Sequence, residues 1–158
     1  SLLAEICAYA KDHGKTLYDL LMDIYAEYGF SKEVTINVVK PGKSGADEIK
    51  QMMVDFRNCP PKEIGGSQVV ISKDYQTLTI TAADGTTQPL DMPTTSNVLQ
   101  WFCADGTKIS VRPSGTEPKI KFYIEIKDKT FKTAADYDRC MQAAAEKVEA
   151  IKKSLCLD

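Results

Sequence analysis

Eight consecutive residues, Arg112, Pro113, Ser114, Gly115, Thr116, Glu117, Pro118 and Lys119, carry the chemistry of this chain. A phosphate asks for several N–H and O–H donors in a concave turn and for at least one cation. A guanidinium can meet it with two parallel charge-assisted bonds. Arg112 and Lys119 bring charge to the two ends of the stretch, and Ser114 and Thr116 offer hydroxyls. Gly115 lets the backbone turn and a ligand come close to it. Pro113 and Pro118 stiffen the ends by fixing their own φ. Ser, Gly, Thr and Pro are also common turn residues, so the local chemistry is equally that of a hairpin turn with ordinary surface side chains.

Two alternating segments must position this loop. Ile109 and Val111 point one way, and Lys108, Ser110 and Arg112 the other. Beyond the loop, Ile120, Phe122, Ile124 and Ile126 share a face, with Lys119, Lys121, Tyr123, Glu125 and Lys127 opposite. Alternation of that length predicts two half-buried strands.

The string Arg-Pro-Ser-Gly-Thr-Glu-Pro-Lys, with a strand on each side, resembles the signature loop of the α-D-phosphohexomutase superfamily, the phosphoglucomutase and phosphomannomutase enzymes. In that family the loop lies in the C-terminal domain and grips the substrate's phosphate. The continuation Lys119-Ile-Lys-Phe-Tyr123 resembles the branch that also holds phosphopentomutase-like members. A weaker resemblance extends over nearly the whole chain, including the helix start at Gly14-Lys-Thr-Leu-Tyr-Asp-Leu-Leu21.

Size and charge narrow the alternatives. A length of 158 residues is enough for one domain and an appendage, and 43% hydrophobic content supports a real core. A formal charge of -2 argues against nucleic acid as partner. No apolar run approaches the ~20 residues that cross a bilayer, and no signal peptide opens the chain. The five cysteines, Cys7, Cys59, Cys103, Cys140 and Cys156, form no C-x-x-C pair. That pattern disfavours zinc and disulfide frameworks and points to a reducing, cytoplasmic setting. Cys7, Cys140 and Cys156 fall on helical patterns, where buried thiols are expected. The sequence has no initiator Met and enters a helical pattern at Leu2, which predicts a piece of a longer protein.

Taken in order, Leu2, Leu3, Ile6, Tyr9 and Ala10 recur at helical spacing, and Gly14 ends that helix. Thr16 with Asp19 predicts a capping box for a second helix. Leu17, Leu20, Leu21, Ile24 and Tyr28 form its stripe, and Gly29 stops it. His13, the only histidine, has no partner in sequence and is expected to be a solvated helix-end residue. Glu33–Val39 reads as extended. Residues 40–45 are rich in Gly, Pro and Ser and read as a linker, since they lack the G-x-x-x-x-G-K-[ST] spacing of a phosphate loop.

Ser44 with Asp47 predicts a second capping box, for a helix lined by Ile49, Met52, Met53 and Phe56 and ended by Cys59-Pro60-Pro61. The two methionines read as core filler. Strands are predicted over Gln68–Ser72, Thr77–Thr81 and Asn97–Cys103, with Trp101 in a core or domain interface. Asp105-Gly106 predicts a two-residue hairpin into Lys108. Thr133 with Asp136 predicts a third capping box. Tyr137, Cys140, Met141, Ala144, Val148, Ile151 and Leu155 then trace a long amphipathic helix over the sheet.

The expected fold is α+β. A four- to five-stranded antiparallel sheet packs against two helices in residues 40–158, and a helical pair and linker precede it in 1–39. This agrees with the TATA-binding-protein-like C-terminal domain that the resemblance implies, a comparison of fold that says nothing about DNA. By the same resemblance, residues 1–39 would end the third domain of a four-domain mutase.

The resemblance implies a mechanism as well. A phosphoserine elsewhere in the enzyme gives its phosphoryl group to a hexose phosphate, the bisphosphate turns over, and the other phosphate returns to the serine. Mg²⁺ and a glucose 1,6-bisphosphate-type activator belong to that chemistry. Carried over to this sequence, Arg112 would bind the non-transferred phosphate bidentately, Ser114 and Thr116 through hydroxyls, Gly115 through its N–H, and Lys119 by charge. Glu117 would orient the loop. The catalytic serine and the aspartate-rich metal loop have no match here. No catalytic residue and no metal ligand is therefore expected, and the chain alone should be inactive. The implied partners are the sugar phosphate and the remaining mutase domains in cis. Two other readings stay open: a stand-alone anion-binding or interaction domain, and a fragment of a phosphopentomutase or a phospho-N-acetylglucosamine mutase.

Overall fold

The computed structural model describes residues 1–42 and 44–157; Lys43, inside the expected linker, lies outside the described residues. The chain forms two compact units, one of Ser1–Lys32 with Lys127–Ala145, the other of Glu33–Ile126 with Glu146–Asp158.

The first unit is helical. Helix α1 spans Leu2–Asp12 and helix α2 Leu17–Tyr28. Gly14 ends the first at φ +67° and Gly29 follows the second at φ +92°, backbone states that favour glycine. The capping box at α2 forms as expected. Asp19 N–H donates to Thr16 Oγ1 over 3.1 Å, and Thr16 N–H donates to the Asp19 carboxylate over 2.8 Å. Those bonds from Thr16 hold the Asp19 carboxyl below its ordinary value. The core of this unit is aromatic: the Tyr25 ring lies 5.1 Å from Phe30 and 5.5 Å from Phe131, and Tyr137 meets Phe30 edge-on at 6.3 Å. The Asp128 carboxylate accepts from Thr130 N–H, Thr130 Oγ1–H and the Cys140 thiol. His13 is exposed and its ring bonds to the Tyr9 carbonyl of its own helix, as a helix-end residue does.

The second unit is a sheet with helices. Its strands are β1 (Phe30–Val39), β2 (Glu63–Ile64), β3 (Ser67–Asp74), β4 (Thr79–Ala82), β5 (Thr87–Pro89), β6 (Leu99–Cys103), β7 (Lys108–Pro113) and β8 (Lys119–Asp128). Their order is β1-β8-β7-β6-β3-β4-β5, with β2 paired to β3. The α+β class and antiparallel pairing are as expected, and the sheet is wider than four or five strands. Its centre, β8-β7-β6-β3-β4, is the set legible from alternation. The strands added at its margins are a two-residue piece, a three-residue piece and Glu33–Val39, which joins β8 as β1.

Helix α3 (Gly45–Asn58) and the C-terminal part of α4 (Tyr137–Ser154) belong to this unit. Alternation puts Trp101, Ile109, Val111, Ile120 and Phe122 wholly inside. The Phe56 ring of α3 meets Trp101 at 5.2 Å and Phe122 at 6.2 Å, both edge-to-face. From α4, Lys147 donates to the Gly65 carbonyl over 2.8 Å and pairs with Asp105 at 2.6 Å. A Cβ on Gly65 would lie 2.9 Å from Ile151.

Several local expectations need correction. Ser44 sits at φ -79°, ψ -16°, already helical, so its side chain cannot swing back to cap the third amide; its hydroxyl bonds to Glu48 instead. The β6–β7 hairpin has three loop residues, not two: Cys103 N–H bonds to Thr107 O across the loop, with Gly106 at φ +89°. Strand β4 starts at Thr79, because Leu78 is in the left-handed region at φ +52°. Cys140 is buried as expected, whereas Cys7 and Cys156 are exposed. Cys7 lies on an exposed face of α1, whereas Cys156 lies beyond the end of α4, in the left-handed region at φ +52°.

Candidate phosphate-binding loop

Strands β7 and β8 are in register from Lys108↔Glu125 to Pro113↔Ile120, which fixes where each end of the loop begins. Ser114 N–H closes the base by donating to Lys119 O over 2.8 Å. Inside, Lys119 N–H donates to Glu117 O, and Ser114 Oγ accepts from Thr116 N–H at 3.4 Å and Glu117 N–H at 3.3 Å. From outside, Lys40 N–H donates to Pro118 O over 3.0 Å and ties the end of β1 to the loop. Thus Ser114 orders the turn as an acceptor and still has its own proton to donate.

Gly115 lies outside the left-handed region, and a Cβ there would meet nothing within 4 Å. The glycine is therefore not required by the turn; it leaves open space beside the backbone. Its N–H takes no part in the bonds that close the loop among the described residues.

Ser114, Gly115 and Thr116 line a cavity of about 590 Å³ whose opposite wall is α3, with Ala46, Lys50 and Asn97 among the lining residues. The first turns of a helix carry partial positive charge, a favourable wall for an anion. Lys119 is engaged by Glu117 in an ion pair, and that contact holds the Glu117 carboxyl below its ordinary value. Arg112 is exposed and is not among the residues lining this cavity. It stands directly opposite Lys121 on the other face of the ladder. The loop therefore brings Ser114, Gly115 and Thr116 together in one wall. It sets Arg112 beside it on the strand, and Lys119 at its end with a partner already in place.

The same ladder contains an instructive contrast. Lys108 and Glu125 face each other and form an ion pair, whereas Arg112 and Lys121 face each other with the same sign. Like charges directly opposite each other destabilise a sheet. A second cavity of about 370 Å³ lies over Gln100, Lys108, Ser110 and Glu125. There the polar groups are already matched: Gln100 donates to Ser110 over 2.8 Å, and Lys108 pairs with Glu125. Among the described residues no group of three His, Cys, Asp or Glu side chains could hold a metal ion. Sequence reasoning passed over Lys50 and Asn97, which come from α3 and from the segment just before β6. No motif joins them to the loop.

Residues 61–138 match the family model of the phosphoglucomutase/phosphomannomutase C-terminal domain. The phosphoglucomutase of Staphylococcus aureus strain MRSA252 is 37% identical over 135 residues, covering 85% of this chain and 24% of that protein. The phosphoglucomutase of Staphylococcus haemolyticus is 34% identical over 126 residues, 79% of this chain and 23% of the relative. The chain thus spans about a quarter of the length of these curated relatives. Among solved structures, the open form of the Paramecium phosphoprotein pp63/parafusin aligns with a TM-score of 0.43 and 15% identity, over 88% of this chain and 23% of that one, too distant to bear on the fold. The segment that holds the loop and its two strands belongs to the phosphohexomutase family, as a phosphoglucomutase/phosphomannomutase C-terminal domain.

Proposed function

We propose that this chain is the substrate-phosphate-binding end of a phosphohexomutase that interconverts hexose 1-phosphate and 6-phosphate through a bisphosphate. The loop meets the phosphate that is not being transferred. Arg112 takes it in a bidentate grip, the Ser114 and Thr116 hydroxyls and the Gly115 N–H donate to it, and Lys119 adds charge. Binding energy from that remote group orients the reacting end of the sugar. The observation that carries this reading is the Arg112–Lys121 pair: two cations held face to face, with no carboxylate bound to Arg112 among the described residues, beside a turn with free donors. An anion removes that repulsion.

Residues 1–39 are, on this reading, the tail of the preceding domain, and 40–158 form the phosphate-binding domain. The phosphoserine, and any Mg²⁺ and bisphosphate activator it needs, belong to other parts of the enzyme; no residue of this chain is assigned to them. The substrate is a sugar phosphate and the partners are the other mutase domains in cis, with no nucleic acid and no membrane. Among the described residues no helix is long and apolar enough to cross a bilayer. All five cysteines are free, in keeping with a reducing cytoplasm.

The test is Arg112→Ala in the full-length enzyme. A charge-assisted bond is worth roughly 1.5–3 kcal/mol, so KM for the sugar phosphate should rise at least about tenfold, with a fall in kcat. An unchanged kcat/KM would remove Arg112 from the site.

A further inference from the structure

The cavity beside the loop has a wall that the phosphate-loop motif does not contain. Asn97, just before β6, lines it together with Ser114, Gly115 and Thr116. Its side chain is not free to choose which end it presents. Arg57 of α3 is largely buried, is tied to Asp74 through Nε at 3.0 Å, and donates from Nη2 to Asn97 Oδ1 over 2.6 Å. A guanidinium has only donors, so the oxygen of the Asn97 amide must face it. The end left over is the NH₂ group, a donor, and it takes no partner among the described residues. Asp74, Arg57 and Asn97 thus form a chain in which a fixed carboxylate sets a guanidinium, and the guanidinium sets an amide.

We infer that Asn97 is an additional anion-binding residue of this cavity, a neutral donor oriented by the Arg57–Asp74 pair, and that Arg57 acts on the bound phosphate only through it. The inference rests on the phosphate reading of the loop. The cavity already holds two fixed charges, Lys50, which is paired with Asp47, and Glu117, which is paired with Lys119. An oriented amide adds a hydrogen bond to a phosphate oxygen without adding another cation beside them. The amide also selects for an acceptor: a ligand group with only donors finds no complement at that wall.

Asn97→Asp separates a binding role from a structural one. The carboxylate can still accept from Arg57, so the link to Asp74 and the packing of α3 are kept. The free end changes from a donor to a negatively charged oxygen. Inorganic phosphate is titrated against the purified 158-residue chain and followed by amide chemical shifts of the loop. The thermal midpoint of each variant is recorded alongside.

The expected result is that Asn97→Ala weakens phosphate about tenfold, the value of one lost hydrogen bond to a charged group. Asn97→Asp weakens it further, with a thermal midpoint equal to or above that of the parent. If Arg112→Ala weakens phosphate and Asn97→Asp binds like the parent, Asn97 has no part in the site and this inference is overturned while the loop reading stands. If the parent binds no phosphate, or Arg112→Ala binds as well as the parent, the loop reading itself is overturned and Asn97 goes with it. If Asn97→Asp lowers the thermal midpoint as much as Asn97→Ala does, the residue is a structural tie between α3 and β6, and the binding role is rejected.

Discussion

The helical unit and the sheet unit are written in the same amphipathic language and end in opposite states. In the sheet unit, alternation along β6, β7 and β8 buries Trp101, Ile109, Val111, Ile120 and Phe122 completely. In the helical unit, the stripes of α1 and α2 leave Leu2 73% exposed and Tyr28 76% exposed, with Leu3, Tyr9 and Ile24 also open. What that unit does bury is an aromatic cluster in which Phe30 and Phe131 lie outside either stripe. An apolar stripe states which face wants covering; it does not state that the cover is in the same chain. On the proposed reading, the cover for α1 and α2 is the body of the preceding domain.

The contrast is broken most severely at Phe122. Its ring fills the centre of the sheet unit, fully buried and edge-on to Phe56. Phe122→Ala should cost about 3–5 kcal/mol, from lost transfer energy and the cavity left behind. That is a large share of the stability of any domain of this size, so urea unfolding of the variant should show most of the folded baseline gone. A loss below ~1 kcal/mol would mean that this core collapses freely.

A smaller effect is expected in the helical unit, at Thr16. Thr16→Ala removes the cap and should cost about 1 kcal/mol by the same measurement. The pH dependence of the box has a definite sign. The backbone and side-chain bonds from Thr16 lower the Asp19 carboxyl in the folded state. Its contribution is therefore complete above the unfolded carboxyl value and is lost as pH falls through the lowered folded one. Thr16→Ala keeps the backbone bond to Asp19 and loses the hydroxyl one, so the stability difference between parent and variant should narrow on acidification; a constant difference would show that the Thr16 hydroxyl does not donate to the Asp19 carboxylate.

Much of this could be read from the residues because it is local or periodic. The two strands around the loop, the Thr16–Asp19 cap and the long C-terminal helix each follow from spacing within a few residues. The loop's donors were legible as a string. What escaped has a different origin. The short strands β2 and β5 have no room for a period, and Leu78 adopts a conformation its residue type does not advertise. Asn97 and Lys50 reach the cavity only because β6 and α3 are brought beside the loop by tertiary structure. Arg112 shows the converse: the string names it two residues from Ser114, yet it does not line the cavity that Ser114, in the loop beyond the strand, helps to form.

The smallest effect sharpens the comparison most. Leu3 is 65% exposed, so replacing it removes little buried surface, although it sits on the stripe that sequence alone would assign to a core. Leu3→Ser should change the stability of this chain by no more than ~0.5 kcal/mol, the range of ordinary surface substitutions. The same change in a leucine buried in a core would cost several times more. The measurement is the urea midpoint at two protein concentrations well apart. Agreement between them, with little change from the parent, means that the stripe is solvated in this chain. A loss above ~1 kcal/mol that grows with protein concentration means that copies of the chain cover each other's stripes. Exposure of the stripe would then describe a monomer that solution does not hold.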